Sequence, residues 1–113
     1  MVMNLRLDSD IFEIVESGNK DVELRLNDEK RKKLHIGDKL IFSKRPEEKE
    51  KIEAYVVGLN YFKNFEDAAN HYDMKRIYKD DCSTQELVEI TKRFYSDEEV
   101  KELGVVAIEF KKV

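Results

Sequence analysis

The spacing of apolar residues changes several times along this chain, and each change marks an element. Met3, Leu5 and Leu7 alternate with polar residues, which predicts a short first strand over Met3–Leu7. Ile11, Ile14 and Val15 then recur at helical spacing, with Ser9 or Asp10 available to cap the start and Gly18 to stop the helix in a left-handed conformation. Beyond Gly18 the period returns to two. Val22, Leu24 and Leu26 face one way and Asp21, Glu23 and Arg25 the other, which predicts a strand with one buried face and one charged face. Lys20 sits at the hinge, where a short turn can swing its ammonium toward the charged face.

The pattern continues with a helical turn capped by Asn27-Asp28-Glu29 and running through Lys33, then a Gly37-Asp38 turn. Lys39–Arg45 reads as a strand with Leu40 and Phe42 on one face and Ile41 and Ser43 on the other, ended by Pro46. Glu47–Glu50 reads as a solvated tip, and Ile52–Phe62 as a long strand that Gly58 bulges or bends. The second half is mostly helical. Asn64 caps a helix beginning at Phe65, Asp73–Tyr78 makes a short helical turn, and Ser83-Thr84-Gln85-Glu86 is a capping box that starts a helix placing Leu87, Ile90, Thr91 and Phe94 on one face. A second box at Ser96–Glu99 starts a helix carrying Val100 and Leu103, Gly104 stops it, and Val105–Phe110 forms the closing strand. The middle strands are joined by hairpin-length links, which favours an α+β fold whose mixed or antiparallel sheet curls into a small β-barrel.

Composition narrows the function classes. With 113 residues, one proline and four glycines the chain reads as one domain over 1–113, and its 41% charged content predicts a heavily solvated surface. No apolar run approaches the roughly 20 residues needed to span a bilayer, and the first residues lack the apolar stretch of a signal peptide, so a cytoplasmic location is expected. Cys82 is the sole cysteine, which excludes an internal disulfide, and His35 and His71 have no ligand spacing, so neither a metal nor a cofactor is expected. Cys82 precedes a predicted helix start, a position that lowers a thiol's pKa, yet with no histidine beside it a structural role is favoured.

The net charge of −4 is unevenly spread. Lys30, Arg31, Lys32, Lys33, Lys39, Lys44 and Arg45 face Asp38 alone, a local balance of +6. A pI near 5.3 argues against broad duplex binding, whose affinity comes from neutralising many phosphates, but a small basic patch suits one nucleotide or a short single strand. The competing reading is a solvated charge run. Lys20, Glu23 and Arg25 are the most concentrated chemistry. Arg25 offers a planar fork for phosphate or carboxylate, Lys20 a point charge or tunable amine, and Glu23 a carboxylate able to orient either. The competing reading here is a Glu23–Arg25 ion pair on a solvated strand face. Among the aromatics, Phe42, Phe94 and Phe110 are expected in the core, whereas Tyr61 and Tyr78, near element ends, are the better candidates for stacking on a base.

These motifs carry a resemblance. Gly18, Lys20, Glu23 and Arg25 reproduce a Gly-x-Lys-x-x-Glu-x-Arg pattern, Ile36-Gly37-Asp38-Lys39-Leu40-Ile41-Phe42 a second signature, and Val105-Val106-Ala107-Ile108-Glu109-Phe110 a characteristic ending. Together they resemble the ASCH domain family of the PUA-like superfamily over nearly the whole chain. The resemblance implies a PUA-like barrel with helices flanking a cleft, and RNA or a nucleotide-like ligand held by Lys20, Glu23 and Arg25 with Lys44 or Arg45 assisting. It also implies an alternative. Some small members are amidohydrolases acting on acetylcytidine through a lysine, a threonine three residues later and a downstream glutamate. Lys20 matches the lysine, Glu23 stands where the threonine would be, and Asp80 falls near the downstream carboxylate. Others are ribonucleases, in which Lys20 and Glu23 fit as phosphorane stabiliser and general base. A protein-interaction domain using the acidic helices is the third possibility.

Overall fold

In the computed structural model the chain runs β1 (Val2–Leu7), α1 (Ser9–Ser17), β2 (Val22–Leu26), a tight helical turn (Arg31–Lys33), β3 (Lys39–Lys44), β4 (Lys51–Phe62), α2 (Phe65–His71), α3 (Met74–Ile77), α4 (Thr84–Thr91), α5 (Asp97–Leu103) and β5 (Val105–Lys112). Every expected element is present. The local chemistry acts where it was expected to: Ser83 and Ser96 each close a reciprocal capping box, Asn64 accepts from the Asp67 amide, and Gly18 ends α1 at φ 88°. One cap differs. Asp8, rather than Ser9 or Asp10, occupies the N-terminal position of α1, and the Asp10 carboxylate instead accepts from the Ile11 amide.

The five strands form one sheet in the order β1-β3-β4-β5-β2. Only β1 and β3 are parallel; β3, β4, β5 and β2 pair antiparallel in succession. The register of β4 against β5 shifts between Val56 and Gly58, the bulge expected at that glycine. A side chain at Gly58 would collide with the Glu109 carboxylate at 2.6 Å, so the glycine makes room for that group. The sheet curls into a half-barrel, and its first and last strands, β1 and β2, do not pair with each other.

The concave side holds the main core: Met3, Leu5, Leu40, Phe42, Ile108 and Phe110 among others, closed at one end by Ile11, Phe12 and Val15 of α1. Phe42 and Phe110 meet with ring centroids 4.8 Å apart, as expected of core residues. The convex side of β2 and β5 is covered by α2 to α5, where Val22, Ala107, Ile77 and Leu87 form a second cluster and Val105, Phe65 and Ala68 a third. No helix is long and apolar enough to cross a membrane.

Two expectations fail. Phe94 was expected in the core, but α4 ends at Thr91, so Phe94 leaves the helical face and is 64% exposed. The charged face of β2 was expected to meet solvent, but Glu23 is only 7% exposed. Pairing explains this. Glu23 and Arg25 lie opposite Ile108 and Val106, residues of the concave core, and directly opposed antiparallel residues share a face. Both charged side chains therefore point into the unclosed seam of the half-barrel, while Val22 and Leu24 face the helices.

Candidate functional site

The seam between β1 and β2 opens into a cleft of about 290 Å³. Arg6 and Leu7 of β1 form one side and Glu23, Leu24 and Arg25 of β2 the other. Ile77 and Tyr78 at the end of α3, and the segment from Leu87 to Tyr95, close the top. Arg45, just beyond β3, joins the rim.

Lys20 lines the floor of this cleft, 2% exposed. Its ammonium donates to the carbonyls of Val22 and Ile77, the latter at 2.8 Å, and meets Glu23 Oε1 at 2.9 Å. An ammonium has three donors, and all three are engaged. Burial lowers the Lys20 pKa, with Glu23 only partly opposing it. Glu23 uses its other oxygen, Oε2, to accept from Arg25 Nε at 2.7 Å. Burial pushes the Glu23 carboxyl up, but the charges of Lys20 and Arg25 overcome that push and hold it at about 2. Arg25 experiences the same contest: burial lowers its pKa, and Glu23 more than restores it. Its Nη2 also donates across the seam to the Arg6 carbonyl at 3.3 Å, so this guanidinium spans the two strands that the backbone leaves apart. The solvated-pair reading of Glu23 and Arg25 is thereby overturned, because removing water from a charge is tolerated only where partners of this quality replace it.

Charge in the cleft is unbalanced. Lys20 and Glu23 cancel, leaving Arg6, Arg25, Arg45 and Arg93 against Asp8, a balance of +3. Arg6 reaches Glu48 only at 4.0 Å and is exposed, so its charge remains available. Aromatic surface lies beside these cations. Phe65 and Tyr95 stack with centroids 5.5 Å apart and planes 11° apart, Phe94 projects outward, and Tyr78 is half-buried at the cleft wall.

The other expected residues divide. Arg45 lines the cleft and Tyr78 contributes a ring. Lys44 points elsewhere, its ammonium 3.3 Å from Glu50 and 3.6 Å from Glu13. Asp80 is exposed and outside the cleft lining, and exposed Tyr61 is outside it too. Cys82 departs from the helix-start argument: burial pushes its thiol up, and Glu86 and Asp81 add to that, which accords with a structural role. Arg6 and Arg93 were not singled out from the sequence. The Arg93-Phe94-Tyr95 run, a cation beside two aromatics, was the signal that could have found the top of the cleft.

The ASCH domain sequence profile matches residues 5–113. The chain belongs to the ASCH domain family. Two solved structures are similar along its full length. The crystal structure of hypothetical protein PH0355 shares 30% identity with a TM-score of 0.89, each chain covered completely. The solution structure of protein PF0455 from Pyrococcus furiosus shares 26% identity with a TM-score of 0.78, covering all of this chain and 98% of the other. No curated protein matches the chain. The ASCH domain thus has the expected PUA-like α+β fold, and family membership supports RNA binding as a general role.

Proposed function

We propose that this ASCH domain binds single-stranded RNA or a nucleotide-like ligand in the cleft between β1 and β2, with Arg25 as its central contact. The observation that carries the reading is the coincidence, in one concavity, of an excess of arginine charge with exposed and half-buried aromatic rings. Phosphate is matched by the guanidinium fork, and bases by Tyr78, Phe94 and Tyr95, since stacking on an aromatic face contributes on the order of 1 to 3 kcal/mol per base without requiring a particular base. In this reading Lys20 and Glu23 do not touch the ligand. Lys20 neutralises Glu23, Glu23 fixes Arg25 through Nε, and the remaining edge of the guanidinium is presented to the cleft. Arg45, Arg6 and Arg93 supply the rim.

The hydrolase alternative draws little support from this geometry. Lys20 would have to release one of three engaged acceptors before acting as a base or a phosphorane stabiliser, and Asp80 is outside the cleft lining. Titration of short single-stranded RNAs against increasing salt tests the proposal. Binding is expected at low salt, weakening steeply as salt rises, and Arg25→Ala is expected to reduce it sharply. No binding at about 50 mM salt would overturn the reading. Turnover of acetylcytidine that is abolished by Lys20→Ala would restore the hydrolase in its place.

A further inference from the structure

A second groove of about 520 Å³ runs between α2, α4 and α5, on the far side of Tyr95 from the cleft. The two hollows adjoin: Phe65, Thr91 and Tyr95 line both. The ridge that divides them is well anchored. Tyr95 stacks on buried Phe65, its amide donates to the Thr91 carbonyl at 3.0 Å, and the next residue, Ser96, is the cap of α5. Beyond the ridge, Lys63 and Lys101 are exposed and form no ion pair, whereas Lys92 is engaged by Glu89 at 3.3 Å. Glu66 and Asp97 also line this groove, so a phosphate backbone would have to lie along its lysine side rather than fill it.

We infer that a single-stranded RNA seated in the cleft continues over Tyr95 into this second groove, where Lys63 and Lys101 contact its phosphates. The inference rests on the RNA-binding reading of the cleft and adds a direction and a length to it. A ligand short enough to fill only the cleft ignores the two lysines; a longer strand meets both. Tyr95, with its ring held between the basic cleft and the lysine side of the groove, is the natural stacking point at the crossing. An acidic peptide in the groove is the competing occupant, and it would leave RNA length without effect.

The test compares a uridylate of about two nucleotides with one of about eight, within the range of site sizes found for single-strand binders, on the wild-type protein and on Lys63→Ala/Lys101→Ala. Both substitutions are at exposed positions, so the fold is expected to persist, which thermal unfolding checks. Wild-type protein is expected to bind the long strand at least about tenfold more tightly than the short one. The double variant is expected to lose most of that advantage, to bind the short strand unchanged, and to show a salt dependence for the long strand shallower by about 1.4 in log–log slope, the value for two phosphate contacts on a single strand. If the short strand binds and the long strand gains nothing, or keeps its gain in the double variant, the second groove is not part of the path. If neither strand binds, the cleft reading itself fails.

Discussion

Lys20 lies buried and Arg25 partly covered at the seam of the half-barrel, while Lys30 to Lys33 lie along a turn outside the cleft, and both groups stand out in the sequence as concentrated positive charge. Their surroundings set them apart. The seam pair shares one buried carboxylate, Glu23, at 2.9 and 2.7 Å, so the charges fix one another in place. In the turn, Arg31 pairs with Asp28 at 3.1 Å and Lys32 with Glu29 at 3.6 Å; both contacts are local in sequence, and the Lys32 pair is open to water. The stretch counted as +6 in sequence is dispersed in space, since Lys39 and Lys44 are matched by Glu53, Glu13 and Glu50, and only Arg45 reaches the cleft. A high local count of cations is therefore weaker evidence for a site than a few cations that the fold is forced to bury.

The contrast can be broken most severely at Glu23. Glu23→Gln keeps the shape but leaves buried Lys20 and partly covered Arg25 without their shared anion, and is expected to lower the free energy of unfolding by about 3 to 5 kcal/mol in a denaturant titration. A change below about 1 kcal/mol would mean that the seam is hydrated. Acid should have a nearly equal effect. The Glu23 carboxyl titrates at about 2 in the folded chain against an ordinary 4.5, so the stability it confers is complete above about pH 4.5 and is lost as pH falls toward 2. The difference in stability between wild type and Glu23→Gln should thus shrink by on the order of 3 kcal/mol across that window.

Smaller effects sharpen the contrast. Phe94→Ala removes an exposed ring from the cleft rim and is expected to weaken RNA binding by about 1 to 3 kcal/mol while leaving the melting temperature nearly unchanged. Arg45→Ala should make the salt dependence of binding shallower by about 0.7, whereas Lys33→Ala should leave it unaltered. At the bottom of the scale, Lys32→Ala is expected to change stability by less than about 0.5 kcal/mol, because its partner Glu29 is almost fully exposed.

Elements were legible in the sequence because their signals are local. Capping boxes, the Gly18 stop and the Gly58 bulge each act within a few residues, and period-two alternation told β2 from α1. Alternation could not say which face of β2 would be covered. It separates two faces but ranks them by polarity, and here β5 turns the charged face inward while helices from the second half cover the apolar one. The site was half legible for the same reason. Lys20, Glu23 and Arg25 are close in sequence and share a motif, whereas Arg6 and Arg93 are isolated arginines that reach the cleft only through the sheet order and through the packing of α4, respectively. Lys44 looked available because one partner, Glu13, comes from a distant position and the other, Glu50, from across the turn that follows β3. Phe94 was misplaced by extending a helical face past the end of its helix.

The bond from Lys20 to the Ile77 carbonyl spans 57 residues, and the sole sheet partner of β2 is β5, the final strand. During synthesis the residues of the motif emerge early, but the carbonyl that anchors Lys20 and the strand that turns Glu23 inward are made only much later. Until then Lys20, Glu23 and Arg25 form an ordinary hydrated cluster. The cleft is therefore complete only once β5 has been made, and cutting β5 from the chain is expected to abolish it even though every residue of the motif remains.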